Sequence, residues 1–320
     1  MIDMHTVHAN VQIGGKETLA MDINRLLLLC DIVETKNLTM SAERLGYTQS
    51  GVSHAIQKLE SELGVSLLKR TNRGVELTRD GELLLPKIRM VVTHSMRLQE
   101  TLDSLHGLQR GSICVGTYSS VASRWLPPIL HRFQQLYPNI SIRLKEGGLE
   151  EIEQWMNDGS VDFGFLSWRE GQSFKFISLA RDPLYAVTTK DYELPEEYHG
   201  VFPMTAFNEH SFIASEFGVD MDVTVALQIA RIKPCVSFTC RDDHTIISMV
   251  ENGLGVSLLP ALFIEGTEER IQKFQTDPCY VRTLGIGILS EKNLSVAAKA
   301  FIKLAREMVS SMKFDPPCGC

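Results

Sequence analysis

The sequence predicts a mixed α/β chain in which a mostly helical N-terminal segment and one long helix precede a larger α/β region. Two observations support this prediction. Up to about residue 105, apolar residues recur at spacings of three and four, and then of seven. Beyond residue 109, short apolar runs typical of strands alternate with helical patterns. A chain of 320 residues is long enough to form two domains with separate cores.

The changes of pattern predict the segment boundaries. Residues 1–20 carry no periodic pattern and are expected to be a disordered leader or a mis-assigned start, with Met1 and Met21 both open as the first residue. Residues 21–78 form a small helical domain, 79–108 a linking helix and 109–312 the α/β domain. A proline- and cysteine-containing tail, 313–320, is expected to be disordered.

Composition excludes several classes of protein. No apolar run approaches the roughly 18 residues of a membrane span, and no signal-peptide pattern is present, so we expect a cytoplasmic protein without a membrane partner. The seven cysteines form no CxxC pair, and the histidines lack metal-binding spacing. Nucleophile-elbow, phosphate-loop and dinucleotide motifs are also missing, so the sequence predicts no enzyme, no metal and no cofactor. A thiol redox sensor based on Cys235 and Cys240 stays an alternative.

Residues 41–56 predict two helices that meet at a tight turn. Ala42 is small enough for the two helices to cross closely, and Gly46 permits the turn. Val52 and Ile56 face inward and anchor the second helix by packing on the core. This arrangement leaves several polar residues facing outward near the start of the second helix, namely Thr48, Gln49, Ser50, Ser53 and His54. Such side chains can contact the phosphates and base edges of DNA. A helical bundle without a DNA role is the alternative.

A short basic hairpin is predicted to follow these helices. Residues 65–77 read as two strands around the turn sequence Asn72-Arg73-Gly74. Between residues 66 and 79 the cationic side chains outnumber the single acidic one, Glu76; they are Lys69, Arg70, Arg73 and Arg79. Three helices and a basic hairpin outline a winged helix-turn-helix that can hold phosphates, although a merely solvated turn would look the same.

The linking helix carries a heptad pattern. Its apolar seam predicts self-pairing through Leu84, Ile88, Val91, Leu98, Leu102 and Leu105, with one polar break at Ser95. The alternative is an amphipathic helix that packs on its own domain. Pro86 is expected to kink the helix near its start.

The α/β region begins with a βαβαβ run. Strands are predicted over 113–116, 140–144 and 161–166, and the intervening helices over 126–136 and 149–157. This order predicts a parallel sheet with helices on its faces. A similar pattern starts anew after a break at Asp182-Pro183.

Two contiguous runs now point to a known family. NLTMSAERLGYTQSGVSHAIQKLE (37–60) and LGVSLLKRTNRGVELTRDG (63–81) closely resemble the N-terminal signature of LysR-type transcriptional regulators. The resemblance continues more loosely to about residue 310, through Phe133…Tyr137-Pro138, Gly159…Val161-Asp162 and Gly253-Leu-Gly255…Leu259-Pro260. It implies a winged helix-turn-helix, a long dimerising linker helix and a C-terminal effector domain.

For DNA, the resemblance assigns positions residue by residue. Gln49, Ser50 and Ser53 occupy recognition-helix positions that touch DNA in the family, and Arg70 and Arg73 match its wing arginines. A dimer, and the family's usual tetramer, would read a pseudo-palindromic promoter site, with RNA polymerase as a further candidate partner.

The sequence departs from the family pattern at three places. His54 stands where the family often has Arg, Gly51 where it often has Ala, and Leu68 where it usually has Phe. Losing an arginine at position 54 is expected to shift the sequence preference or to weaken DNA binding.

For the effector domain, the resemblance implies two lobes like those of periplasmic binding proteins, 111–182 with 287–312 and 183–286, with a ligand between them. Residues after strand ends are expected to face that cleft, namely Thr117, Ser119, Ser120, Ser123, Ser167, Trp168, Arg169 and Thr239. Hydroxyls and an arginine favour an anionic small molecule. The alternatives are helix capping for the serines and a solvated loop for Arg169.

Overall fold

The computed structural model describes residues 22–71, 74–105, 111–216 and 221–312, so the predicted leader and tail lie outside the described residues. The chain divides into two compact units at Leu105. The first unit contains α1 (Ile23–Thr35), α2 (Leu38–Leu45), α3 (Gln49–Leu63), β1 (Leu68–Thr71), β2 (Gly74–Leu77) and α4 (Arg79–Leu105). This order confirms the predicted winged helix-turn-helix followed by a long helix.

Local sequence explains the ends of the first three helices. Asp22, Asn37 and Thr48 are N-caps whose side-chain oxygens accept hydrogen bonds from backbone N–H groups in the first turn of α1, α2 and α3. Gly46 ends α2 in the left-handed conformation, with φ of +72°, which is the turn between the two helices. Val52 is fully buried with the side chains of α1.

Helix α4 corrects part of the predicted self-pairing seam. Ile88 is 6% exposed and lies in the core of the first unit, and Leu84 packs partly buried against that core. Ile88 is therefore unavailable to a second copy, because the first turns of α4 close the unit's own core. Farther along, the seam is exposed at Val91, Leu98 and Leu102.

The second unit opens with the predicted alternation of strands and helices. Its first elements are β3 (Gly111–Thr117), α5 (Ser119–Arg124), α6 (Leu126–Leu136), β4 (Ile140–Glu146), α7 (Leu149–Asn157) and β5 (Phe163–Ser167). Strand β3 pairs in parallel with both β4 and β5. These parallel neighbours confirm the parallel part of the prediction.

The remaining elements add antiparallel pairing. They are β6 (Lys175–Thr189), β7 (Phe202–Pro203), β8 (Phe212–Ser215), α8 (Met221–Ile229), β9 (Val236–Cys240), α9 (Asp243–Glu251), β10 (Ser257–Pro260), α10 (Ala261–Ile264), β11 (Ile271–Asp277), β12 (Val281–Ile288) and α11 (Val296–Ser311). An eight-stranded sheet runs in the order β4-β3-β5-β12-β6-β11-β7, with β10 also pairing with β6, while β8 and β9 pair separately.

The predicted break at Asp182-Pro183 is wrong, because β6 is one continuous strand of 15 residues. Pro183 lies where the strand changes partners: β12 pairs with β6 up to Pro183, and β10 takes over from Leu184. A residue without an N–H group is tolerated at such a change of pairing.

Two lobes share the crossing strands β6 and β12. The first lobe has one core, built from β3, α5–α7, β5 and α11, and includes Leu284 and Ile286 of β12. The boundary between the lobes that was expected at 286/287 therefore lies too far along the chain, since β12 pairs with β5 from Leu284 onward. The second lobe comprises β7–β11 and α8–α10, with two smaller cores. No helix of the described ranges is long and apolar enough to span a bilayer.

Candidate functional site

The start of α3 presents a row of polar side chains to solvent. Thr48, Gln49, Ser50 and His54 are exposed, and Ser53 is half-buried. The Thr48 hydroxyl accepts a hydrogen bond of 3.1 Å from the backbone N–H of Gly51, which fixes the first turn of the helix. The described ranges contain no ion pair that involves these residues, so their polar groups can meet an outside partner.

The hairpin beside this row is also accessible. Arg70 is exposed on β1, whereas Arg73 lies outside the described residues. Lys69 lies 3.5 Å from Glu76 across the hairpin, a solvent-exposed pair of small energetic value. The polar row at the start of α3 and Arg70 together form a surface with hydrogen-bonding groups and a positive charge. Such a surface suits the backbone and the base edges of a nucleic acid.

The second unit has a cleft of about 280 Å³ between its lobes. From the first lobe, Tyr118, Ser119, Ser120, Glu146 and Glu151 reach it. From the second lobe it is lined by Arg241, Asp242, Asp243 and Pro260, and from the crossing strand β12 by Arg282. Its volume lies just below the range of about 300–1,000 Å³ that is typical of small-molecule pockets.

A buried ion network closes the back of the cleft. Arg282 is 3% exposed and lies 2.8 Å from a carboxylate oxygen of Asp182 and 3.5 Å from one of Asp222. It also donates to the Ser120 hydroxyl at 3.0 Å. Burial and then the nearby Asp222 carboxylate raise the pKa of Tyr118, so this phenol is neutral at physiological pH.

Two polar contacts connect the lobes across the cleft. The Ser119 hydroxyl donates to Asp243 at 3.3 Å, and Arg241 donates to both carboxylate oxygens of Glu151 at 3.2 and 3.3 Å. A change in the separation of the lobes must alter these contacts. The cleft is thus positioned so that a bound molecule can bias the arrangement of the lobes.

The structure brings only part of the predicted ligand site to this cleft. Of the predicted residues, Ser119 and Ser120 line it. Thr117 is fully buried and donates to the Tyr118 carbonyl oxygen, and the Ser123 hydroxyl donates back to the Ser120 carbonyl oxygen. Ser167 is 1% exposed and hydrogen-bonded to the Tyr118 hydroxyl, so it supports the wall from behind.

The other three predicted residues are not part of the lining. Trp168 and Thr239 are exposed outside it. Arg169 forms an ion pair with Glu153 on α7, which accounts for its charge. Arg169 therefore does not line this cleft, and the expectation that it holds an anion stays a prediction.

Sequence reasoning missed the charged residues of the cleft. Glu146 and Glu151, Asp242 and Asp243, and Arg282 come from three separate segments. The contact between Ser119 and Asp243, for example, joins residues that are 124 positions apart. The only local signal was the position of Glu146 at the carboxyl end of β4, where ligands of α/β sheets bind.

The cysteines of the redox alternative are free thiols. Cys235 is exposed, and Cys240 is half-buried with its Sγ 3.4 Å from the Sδ of Met249. They lie at the two ends of the segment that contains β9.

Family models match both units. The model of the bacterial regulatory helix-turn-helix protein, lysR family, matches residues 23–82, and that of the LysR substrate binding domain matches residues 106–310. Together they account for most of the chain. The chain therefore belongs to the LysR family of transcriptional regulators, which are DNA-binding proteins with effector-binding domains and not enzymes.

Relatives match along almost the whole length. The probable HTH-type transcriptional regulator LrrA of Synechococcus elongatus is 31% identical over 301 residues, covering 92% of this chain and 99% of LrrA. The uncharacterized HTH-type transcriptional regulator YvbU of Bacillus subtilis is 29% identical over 291 residues, covering 90% of this chain and 99% of YvbU.

Solved structures share the fold. A full-length OxyR variant from Pseudomonas aeruginosa superposes with a TM-score of 0.69 at 18% identity, covering 92% of this chain and 99% of that OxyR chain. CbnR complexed with its target DNA gives 0.62 at 19% identity, with coverages of 90% and 99%. The regulatory domain of Synechocystis CcmR in complex with 2-PG gives 0.58 at 22% identity, covering 63% of this chain and 99% of that domain.

Proposed function

We propose that this protein is a sequence-specific transcriptional regulator whose DNA binding or activation is controlled by a small-molecule effector in the cleft of its second unit. The observation that carries the proposal is the exposed polar row at the start of α3, in a chain that also has a cleft between two lobes. CbnR, which shares the fold, has been solved on its target DNA, and CcmR with a small molecule, 2-PG.

In the proposed DNA complex, α3 enters the major groove by its N-terminal end. The Gln49 amide reads a base edge, Ser50 and Ser53 donate to phosphates or bases, and Arg70 and Arg73 neutralise phosphates beside the groove. Thr48 holds the first turn of α3 by its cap. His54 replaces a longer, permanently charged side chain, so sequence preference at its contact differs from that of family members with arginine.

The proposed assembly is a dimer, extended to a tetramer. Val91, Leu98 and Leu102 give α4 an exposed apolar stripe, with exposures of 38%, 64% and 42%, and a second α4 would cover it. Paired winged domains then read two half-sites of a pseudo-palindrome about one helical turn apart. Chromosomal DNA as the partner implies work in the cytoplasm, with RNA polymerase as the further candidate partner.

Control by an effector requires unequal affinity for two arrangements of the lobes, because a ligand that binds both equally shifts nothing. The contacts Ser119–Asp243 and Arg241–Glu151 connect the lobes, so a molecule bound between them competes with or reinforces these contacts. We propose that the spacing of the DNA-binding units depends on the arrangement of the lobes.

DNA binding is tested by fluorescence anisotropy and footprinting with purified full-length protein on the DNA upstream of its own gene. We expect a two-part protected region whose affinity falls steeply with salt. The double variant Gln49→Ala and Arg70→Ala keeps the fold, because both side chains are exposed, and should lose the protection. Equal affinity of wild type and double variant for this DNA would refute the role of α3.

A further inference from the structure

Lys58 is an exposed cation on α3 that the proposed DNA contacts do not include. It lies on the same helix face as Gly51 and His54, because spacings of three and four residues bring side chains into one row along a helix. His54 is exposed and belongs to the polar row at the start of α3, so this face continues that row toward the C-terminal end of the helix. Gly51, His54 and Lys58 together form the flank strip of α3.

The charge of Lys58 has no internal partner among the residues that the structure describes. Glu62, the acidic residue one turn farther along α3, is instead held by the Arg25 guanidinium group at 2.6 Å. Arg44 of α2 is paired as well, since it lies 3.4 Å from a carboxylate oxygen of Asp31. Lys58 therefore differs from these neighbouring cations, because its ammonium group is available to an anion from outside the chain.

Gly51 has no reason within the protein to be a glycine. Its backbone is ordinary α-helix, unlike that of Gly46, whose φ of +72° favours glycine. Among the described side chains and neighbouring elements, an added Cβ would contact only the Oγ1 atom of Thr48, at 3.1 Å, whereas a Cβ on Gly81 would collide with a backbone carbonyl oxygen. Thr48 is exposed, so its hydroxyl can shift enough to admit a methyl group. Since glycine weakens a helix relative to alanine, its advantage at position 51 is the close approach of a partner molecule.

We infer that the flank strip binds the sugar-phosphate backbone of one DNA strand, where Lys58 neutralises a phosphate and Gly51 leaves room for the strand to approach. The inference rests on the proposed DNA binding by α3, and it adds a phosphate contact distinct from that of Arg70. Seven residues of α-helix span about 10 Å, so Gly51 and Lys58 can reach nearby phosphates of a single strand. Contacts of this kind fix the position of a recognition helix on the duplex without reading its bases.

The salt dependence of binding to a random-sequence duplex tests the role of Lys58. Each neutralised phosphate contributes about 0.9 to the slope of log affinity against log salt concentration. Fluorescence anisotropy with full-length protein should therefore give a slope smaller by about 0.9 per bound subunit for Lys58→Ala. Lys58→Arg keeps the charge and should retain the slope of the wild type. Lys303→Ala removes an exposed cation on α11 in the second unit and should leave the slope unchanged.

Gly51→Ala tests the close approach of the strand. Its affinity for DNA should fall by about fivefold or more, as for a methyl group inserted into a close contact. Its melting temperature should not fall, because alanine favours the helix. Ser61→Ala, at an exposed position of the same helix beyond Lys58, is the control and should bind DNA like the wild type. If Gly51→Ala proves unstable, the Lys58 variants decide the inference.

An unchanged slope for Lys58→Ala, or an equal decrease for Lys303→Ala, would overturn the inference. A stably folded Gly51→Ala variant with the affinity of the wild type would overturn the close approach. Discrimination between random DNA and the duplex upstream of the protein's own gene measures the proposed function separately. Its absence in the wild type would refute sequence-specific regulation, while the slope on random DNA would still decide the role of Lys58. Binding of the wild type to no duplex at all would refute both.

Discussion

Polar side chains at the start of α3 face solvent, whereas those of the cleft already contact one another. Gln49, Ser50 and His54 are exposed on a helix that needs them for no core contact. In the cleft, Arg282 is 3% exposed and depends on Asp182 and Asp222 for its hydrogen bonds and charge balance. The polar side chains at the start of α3 are therefore available to bind a polyanion. A ligand of the cleft, in contrast, must compete with ion pairs and hydrogen bonds within the protein.

Because of this difference, substitutions at the start of α3 should mainly affect DNA recognition, whereas substitutions in the cleft should mainly affect stability. Changing an exposed polar residue of α3 removes little that holds the fold, so its effect should be seen in DNA binding. Changing a buried charge of the cleft leaves its partners without compensation, so stability falls first.

The largest effect is expected for Arg282→Met. It leaves the carboxylates of Asp182 and Asp222 buried without their cation, and should lower the free energy of unfolding of the second unit by about 3–5 kcal/mol. Urea denaturation followed by circular dichroism measures it. As the matched control, Arg270→Met breaks a half-exposed pair with Glu251 and should cost less than about 1 kcal/mol. Similar losses for both variants would show that burial does not set the cost.

Two apolar residues of α4 extend the comparison to the first unit. Ile88→Ala should lower the stability of this unit by about 2–5 kcal/mol, since Ile88 is 6% exposed in its core. Leu98→Ala, at a residue that is 64% exposed, should hardly change the stability of the monomer but should weaken self-association. Thermal unfolding and sedimentation velocity distinguish the two. A dimer unaffected by Leu98→Ala would remove this residue from the interface.

For recognition, Gln49→Ala should reduce discrimination between specific and random DNA by about 1–3 kcal/mol, because one base-edge contact is lost. Competition anisotropy with specific and random duplexes measures the ratio of affinities. Gln57, also exposed but two turns farther along α3, is the matched control, and Gln57→Ala should leave the ratio unchanged. An equal loss of affinity on both kinds of DNA after Gln49→Ala would contradict base reading.

The smallest predicted effect belongs to Arg70→Ala. Loss of one phosphate contact should reduce the slope of log affinity against log salt concentration by about 0.9 per bound subunit, with specific and random DNA affected alike. Arg306→Ala, an exposed arginine on α11, should leave the slope unchanged. A slope that does not change in Arg70→Ala would exclude Arg70 from the phosphate contacts.

Sequence reasoning succeeded where contacts are local. The turn at Gly46 and the outward row after Thr48 follow from spacings within about twenty residues. The seam of α4 was only partly predicted, because a heptad pattern does not say which of its residues face the core of the same chain, as Ile88 does.

Local sequence patterns could not predict the charged residues of the cleft. Its contacts join Ser119 to Asp243, Glu151 to Arg241 and Ser120 to Arg282, which are 124, 90 and 162 positions apart. Only the folded sheet brings these charges together. The same holds for β6, whose change of partners at Pro183 depends on β10 and β12, strands far along the chain.

The central claim, that α3 selects a DNA sequence, is tested most directly by selecting bound duplexes from random-sequence DNA with full-length protein. The wild type should enrich a motif of two related half-sites about one helical turn apart, and Gln49→Ala should lose or relax it. Enrichment of no motif by the wild type, or of the same motif by Gln49→Ala, would contradict the account.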